Sequence, residues 1–247
     1  TTPGTDLHEI ANIRGLEGIR YVLNCARRLP FNLFLMAPSC VPATRLETSG
    51  ASLGAEDIRQ VLGWKDCIGL GEVMNFPGVI GGDEEVLKKI SLGRRKIIDG
   101  HAPGLAGKNL SAYIAAGIYS DHESVSLDEA KEKLRQGMFI MIREGSSEKN
   151  LDALLPLVTD KTYKRCLFVV DDRSCVDLLK DGDIDGVVRK AIRLGLDPVR
   201  AIQLATINPA DYFRRDGLGA VAPGFMADLI VLSDLSRLQI DMVFYRG

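Results

Sequence analysis

The chain has 247 residues, 46% of them hydrophobic and 26% charged, with a formal net charge of -2. That is enough material for a globular protein with a sizeable core, and its 31 Lys and Arg are balanced by 33 Asp and Glu and scattered along the chain, which excludes the basic patch a nucleic-acid partner needs. No apolar run approaches the roughly 20 residues that cross a bilayer, so no membrane partner is expected either. The five cysteines, Cys25, Cys40, Cys67, Cys166 and Cys175, are odd in number and lack CxxC spacing. They argue against a disulfide framework or zinc knuckle and for a reducing, cytoplasmic setting.

In chain order, short runs rich in Val, Ile, Leu and Phe alternate with longer amphipathic stretches, the pattern of βα units around a parallel sheet. Strands are predicted at 32–37, 67–71, 96–99, 117–120, 139–143 and 166–170. Helices are predicted between them, for example at 52–62, at 83–92, which opens on the acidic Asp83-Glu84-Glu85, and at 127–137. In the last, Ser126 caps the helix and Glu129 lies three residues on, a capping box. Polar residues gather at strand ends and no GxGxxG or P-loop glycine pattern follows any strand. Both points favour a (β/α) barrel over a doubly wound nucleotide-binding sheet. A helix over 198–206 then leads into Gly- and Pro-punctuated β-rich runs. A barrel is therefore expected over 1–215 and the beginning of a small β-sandwich domain over 216–247.

A barrel of this kind collects its chemistry at the C-terminal ends of its strands. Glu72 follows one predicted strand, His101 and His122, two of only three histidines, follow the next two, and Asp171 and Asp172 follow the strand at 166–170. Singly, each reads as a solvated loop residue, a helix cap or a hydrogen-bonded structural histidine. Ordered along four strand ends, Glu, His, His and Asp predict a mixed nitrogen and oxygen ligand set suited to Zn, Mn or Fe.

The segments Asp6-Leu7-His8-Glu9-Ile10-Ala11-Asn12, Ala37-Pro38-Ser39-Cys40-Val41-Pro42, Gly71-Glu72-Val73-Met74-Asn75, Asp99-Gly100-His101-Ala102-Pro103-Gly104, Ser120-Asp121-His122-Glu123 and Asp171-Asp172-Arg173 resemble, in order and over nearly the whole chain, the adenine deaminases of the amidohydrolase superfamily. The resemblance implies an incomplete (β/α)8 TIM-type barrel of the metal-dependent hydrolase kind. It also implies one or two divalent metals, Mn foremost with Fe or Zn as alternatives, a purine as small-molecule partner, and a homodimeric parent protein. It gives Glu72 the role of bridging two metals and His101 and His122 that of binding one of them. Asp171 becomes a metal ligand and proton shuttle, and Asp172 a hydrogen-bond partner of the purine. His8 is read as substrate-binding or structural, and Ser39 as lining the pocket. Glu123 holds His122, faces the pocket or caps the following helix, and Arg143 positions the purine or closes an ion pair. The chain departs from the pattern in having no His-x-His pair, the superfamily's first-strand ligands. It begins at Thr1, not at Met, and is read as a fragment lacking that strand and a further C-terminal domain. The expected reaction is hydrolytic deamination of adenine. The competing expectations are an amidohydrolase acting on another purine or a cyclic amide, and a non-catalytic remnant.

Overall fold

The computed structural model describes residues 4–44 and 46–247, and its contacts divide the chain into two compact units, one ending at Ser120 and one covering Asp121–Gly247. Thr1 lies outside the described residues.

The first unit is a run of βα elements: β1 (Gly4–Asp6), α1 (His8–Ala26), β2 (Phe34–Pro38), α2 (Ala55–Leu62), β3 (Cys67–Val73), α3 (Phe76–Gly81), α4 (Glu84–Gly93), β4 (Ile97–Gly100) and α5 (Gly107–Ala115). The strands form one parallel sheet in the order β1-β2-β3-β4. Its strands carry nearly continuous apolar runs, with Leu35, Met36, Ala37, Leu70 and Ile98 buried, as expected where helices cover a parallel sheet. Among those helices, α2 buries Ile58 and Val61, α4 Ile90, and α5 Leu110 and Tyr113. Asp83, which the sequence reading counts as the first acidic residue of the helix, caps α4 instead, accepting from the N–H groups of Glu85 and Val86 at 3.0 and 3.1 Å.

Two glycine positions shape the strand ends. A Cβ on Gly71 of β3 would lie 2.5 Å from Asp6 Cβ, so the absent side chain is what lets Asp6 lie across the sheet. In α1, Gly15 has φ 57° and ψ -142° and interrupts the helix, a conformation glycine alone adopts readily. Around the break, the Asn12 carbonyl accepts from Gly50 N–H at 2.9 Å and Ala51 N–H at 3.1 Å. A Cβ on Gly50 would meet Ile13 O at 2.4 Å, so the approach of this loop needs glycine.

The second unit follows from β5 (Ser120–Asp121) at the boundary and contains α6 (Leu127–Arg135), β6 (Phe139–Arg143), α7 (Leu151–Leu154), β7 (Cys166–Val169), α8 (Cys175–Asp181), α9 (Ile184–Arg193), α10 (Pro198–Ala205), α11 (Ile207–Tyr212), β8 (Leu229–Asp234) and β9 (Gln239–Phe244). Its main sheet has the order β5-β6-β7, with β6 and β7 parallel. Ile140, Ile142, Cys166 and Phe168 of that sheet pack with Val187, Val188, Ala201 and Leu204 into one core. Asn208 of α11 is buried and donates to the carbonyls of Tyr163 and Cys166 at 2.7 and 2.8 Å, satisfying backbone groups beside the start of β7. Strands β8 and β9 form an antiparallel hairpin in this unit, and Leu238 at its turn joins the core.

Ser126 caps α6 by accepting from Glu129 N–H at 3.4 Å. The reciprocal bond differs from the capping box read in the sequence. Glu129 accepts instead from Val125 N–H at 3.3 Å, because its other oxygen is held at 2.7 Å by Lys133 one turn on. The patterning also singles out no helix over residues 8–26, where glycines interrupt the period.

All five cysteines are free; Cys40, Cys67 and Cys166 are buried and Cys25 and Cys175 exposed. Burial pushes the Cys166 thiol up to about 12 and raises Cys67. Since the thiolate is the reactive form, native alkylation at pH 8 followed by peptide mass mapping is expected to label Cys25 and Cys175, with Cys67 and Cys166 modified only after unfolding. Rapid labelling of Cys166 in the folded chain would contradict this core.

Candidate functional site

In the first unit the C-terminal ends of β1, β3 and β4 bring together Asp6, His8, Glu72 and His101. Glu72 is the sixth residue of β3 (Cys67–Val73), inside the strand end where the sequence places it just after, while His8 opens α1 two residues past Asp6 and His101 directly follows β4. His101 Nδ1 is 2.8 Å from Glu72 Oε2, His8 Nδ1 is 3.5 Å from Glu72 Oε1, and His8 Nδ1 is 2.5 Å from Asp6 Oδ1.

Around one imidazole, the carboxylates of Asp6, Glu9 and Glu72 favour its charged form. The hydrogen bond to Asp6 and these charges push His8 up to about 9 against the opposing effect of burial. Burial likewise raises Asp6, to about 6, with Glu72 adding to it and His8 working against it. The two shifts have different leading causes, the hydrogen bond to Asp6 for His8 and burial for Asp6.

Asp6, His8 and Glu72 each offer a ligand atom, all within 4.8 Å of one another, and Asp6 Oδ2 is buried without a hydrogen-bond partner. An orphaned carboxylate oxygen beside a second carboxylate and two imidazoles fits a cation that takes oxygen and nitrogen ligands. Asp6 is the residue the strand-end reading of the sequence passes over. Its signal is its place two residues before His8 at the end of a short strand.

The backbone that presents these groups is pinned from behind. Tyr113 of α5 is fully buried; its hydroxyl accepts from His101 N–H and donates to the Val73 carbonyl, both at 2.9 Å. Ser39, buried at the end of β2, donates its hydroxyl to the Glu72 carbonyl at 2.6 Å. In this structure that hydroxyl therefore secures the Glu72 backbone.

The second unit gathers His122, Glu123, Arg143 and Asp171. His122 directly follows β5, and its Nε2 lies 3.5 Å from Glu123 Oε1 and 3.8 Å from Asp171 Oδ1. Arg143, at the end of β6, pairs with Glu123 and stands 3.5 Å from Asp171 Oδ2. Of the roles read for Arg143, the closed ion pair is observed. Its Nε also donates to Asn150 Oδ1 at 2.8 Å, which fixes the plane of the guanidinium. Asp171 has φ 59°, a left-handed turn tolerated by aspartate. Asp172 is exposed and groups with Asp171 and Glu148, ligand atoms within 4.8 Å. Arg173 donates to the Glu144 carbonyl at 3.1 Å. The expected ligands are thus divided two and two, Glu72 and His101 in the first unit and His122 and Asp171 in the second.

Behind His122 sits a buried charge network. Lys133 and Asp121 have no solvent exposure. Lys133 Nζ donates to Asp121 Oδ2 at 2.8 Å, Glu129 Oε1 at 2.7 Å and Ser124 Oγ at 3.1 Å, while the same Asp121 oxygen accepts from the Ser124 N–H and hydroxyl at 2.9 and 2.7 Å. Burial alone would raise the Asp121 carboxyl; Lys133 and Ser124 outweigh it and hold the group below its ordinary value. The turn that carries His122 is fastened by this network.

Removing one partner of a buried pair leaves the other uncompensated, so Lys133→Met is expected to cost about 3–5 kcal/mol in chemical denaturation. Because the Asp121 carboxyl is depressed, its contribution is complete above the ordinary value of 3.8 and fades as pH falls through the lower folded value. The gap between wild type and variant should therefore narrow in strong acid, and a gap that widened there would contradict the assignment. Tyr113→Phe removes one hydroxyl that serves two buried backbone groups, with an expected loss of about 1–3 kcal/mol. The His101 imidazole NMR signal should shift in that variant and the His122 signal should not.

The sequence model of the amidohydrolase family matches residues 2–247. An adenine deaminase of Dehalococcoides mccartyi (strain ATCC BAA-2266 / KCTC 15142 / 195) is 66% identical over 243 residues, 98% of this chain and 43% of that protein. Adenine deaminase 2 of Carboxydothermus hydrogenoformans is 50% identical over 246 residues, 100% of this chain and 43% of that protein. The chain thus spans well under half the length of these curated relatives. Among solved structures, the β-aspartyl dipeptidase of Fervidobacterium islandicum AW-1 superposes with a TM-score of 0.66 at 15% identity, covering 99% of this chain and 72% of that one. N-acetyl-D-glucosamine-6-phosphate deacetylase of Mycobacterium smegmatis does so with 0.62 at 15% identity, covering 100% and 73%. These likenesses show the fold, a TIM-barrel-like arrangement of parallel strands and helices with a small antiparallel sheet near the C-terminus.

Proposed function

This chain belongs to the amidohydrolase family, and from that premise we propose that it carries the metal-dependent catalytic machinery of an enzyme that hydrolyses adenine to hypoxanthine and ammonia. The observation that supports this reading is the 66% identity, over 98% of the chain, to a protein named adenine deaminase. In the first unit, Glu72 and His101 would hold a divalent cation, with Asp6 and His8 beside them. In the second, His122 would serve as a ligand, and Asp171 as ligand and proton carrier. Oxygen and nitrogen donors of this kind suit Mn, with Fe or Zn as alternatives.

When bound, the cation brings the pKa of a coordinated water towards neutrality. Water adds to the amino-bearing ring carbon, a C–O bond forms, and the C–N bond to the exocyclic amine breaks. The water gives up two protons through a carboxylate, one to the ring nitrogen and one to the departing amine, which leaves as ammonia while the oxygen stays on the ring as a carbonyl. What supports Asp171 in this role is its place two residues past β7, with one oxygen near His122 and the other near Arg143. Arg143 keeps Glu123 occupied. Asp172, exposed beside Asp171, is the candidate to bond the purine.

The same reading places the parent protein in purine salvage, as a homodimer, in the cytoplasm. The five unpaired cysteines support the reducing compartment. It also makes residues 1–215 the catalytic barrel and 216–247 the start of a β-sandwich domain.

The test is ammonia release from adenine by Mn-loaded protein, followed alongside the absorbance change to hypoxanthine. Turnover of adenine is expected, with Asp171→Asn lowering kcat by roughly 10²-fold or more. Preference for another purine or a cyclic amide would reassign the substrate, and unchanged kcat in Asp171→Asn would remove its role.

A further inference from the structure

A cavity of about 310 Å³ opens beside His8, walled by Glu9, Asn12, Cys40 and Ala43 among others. Asn12 is the group in it that other interactions leave unexplained. Its side-chain Oδ1 is buried and has no hydrogen-bond partner, which is unfavourable for a polar atom kept from water. Its backbone, by contrast, is firmly held. The break at Gly15 and the close approach of Gly50 let the Asn12 carbonyl accept from two N–H groups of the loop. The residue is therefore fixed by its main chain while its amide is uncommitted, and the last torsion of an asparagine is soft enough to turn either end of that amide to a ligand.

The spacing gives the ligand's orientation. His8 and Asn12 are four residues apart on one helix face, about one turn or 5.4 Å, comparable to the width of a purine. A purine whose amino-bearing carbon lies towards the Glu72 and His8 end turns its opposite edge towards Asn12. In adenine as the free base that edge carries a ring N3 acceptor beside an N9–H donor. A primary amide offers the complementary pair, Nδ2–H for N3 and Oδ1 for N9–H. Cys40 and Ala43 supply a small, largely apolar wall against which a flat ring can lie.

We propose that this cavity is the subsite for the N3/N9–H edge of an unsubstituted purine, and that Asn12 is the specificity-determining residue that reads it. The inference rests on the purine reading given above and deepens it. It selects the free base over any purine carrying a substituent at N9, because a substituted N9 has no proton to give Oδ1 and brings bulk against the helix.

Equilibrium binding decides the matter without turnover. The 247-residue chain, kept metal-free with EDTA so that adenine is not consumed, is titrated calorimetrically with adenine, 9-methyladenine, 3-deazaadenine and 7-deazaadenine. The 9-methyl and 3-deaza compounds are each expected to bind roughly tenfold or more weakly than adenine, and 7-deazaadenine about as well as adenine. Asn12→Ala should weaken adenine by a similar factor and level the series. Asn12→Asp should keep the penalty for 9-methyladenine but lose the one for 3-deazaadenine, since a carboxylate retains the acceptor and lacks the donor. Circular dichroism checks that both variants fold, and the wild-type ligand series stands on its own if they do not. Adenine binding that is indifferent to N3, to N9 and to Asn12, or a penalty confined to 7-deazaadenine, overturns the subsite and leaves the purine reading intact. Failure of the unaltered chain to bind any of the four purines overturns both.

Discussion

Parallel strands all end on the same edge, and in the first unit that edge collects more acid than it can neutralise. Asp6 and Glu72 come together beside Gly71, Glu9 stands one residue beyond His8, and the imidazoles of His8 and His101 face these acids. Water cannot relieve Asp6, whose outer oxygen is buried and unpartnered, and a buried charge is tolerated only when paired or bound to a metal. The rest of the strand-end architecture follows from that crowding. Tyr113 and Ser39 spend their hydroxyls on main-chain groups of His101, Val73 and Glu72, fixing the acids where a softer scaffold would let them drift apart.

The second unit meets the same problem with its own cation. Arg143 stands between Glu123 and Asp171, anchored by Asn150, so these carboxylates have a partner within the unit. Lys133 does the equivalent for Asp121 and Glu129 below the turn that carries His122. In the second unit the acids named are paired with Arg143 and Lys133, whereas around Glu72 the partners are imidazoles and Asp6 keeps a buried oxygen without a hydrogen-bond partner.

Much of this is legible in the sequence. Where an apolar run after a glycine ends on a charged residue, as at Phe139–Arg143 after Gly137, its limits are read without error. The cap at Ser126 is equally plain, because a single side chain decides it. The residues at strand ends are legible too, since function accumulates there whatever the helices do. Helix α1 is hidden because Gly15 and Gly18 break its period and its first turn depends on a loop far along the chain. Asp6, Tyr113 and Lys133 are hidden for a related reason. A buried polar residue has no one-dimensional signature, and only its partners reveal whether it is spent on the scaffold or left available.

The loop carrying Gly50 and Ala51 has a bearing on dynamics as well as geometry. The helical segment before Gly15 begins at His8 and amounts to about two turns, too short to persist alone in water. Two loop N–H groups that reach one carbonyl hold it, together with the burial of Ala11. The order of the His8 end of α1 therefore depends on the loop rather than on helical propensity, and a molecule in the neighbouring cavity, which His8 and Asn12 both line, would slow its opening by binding only the closed form.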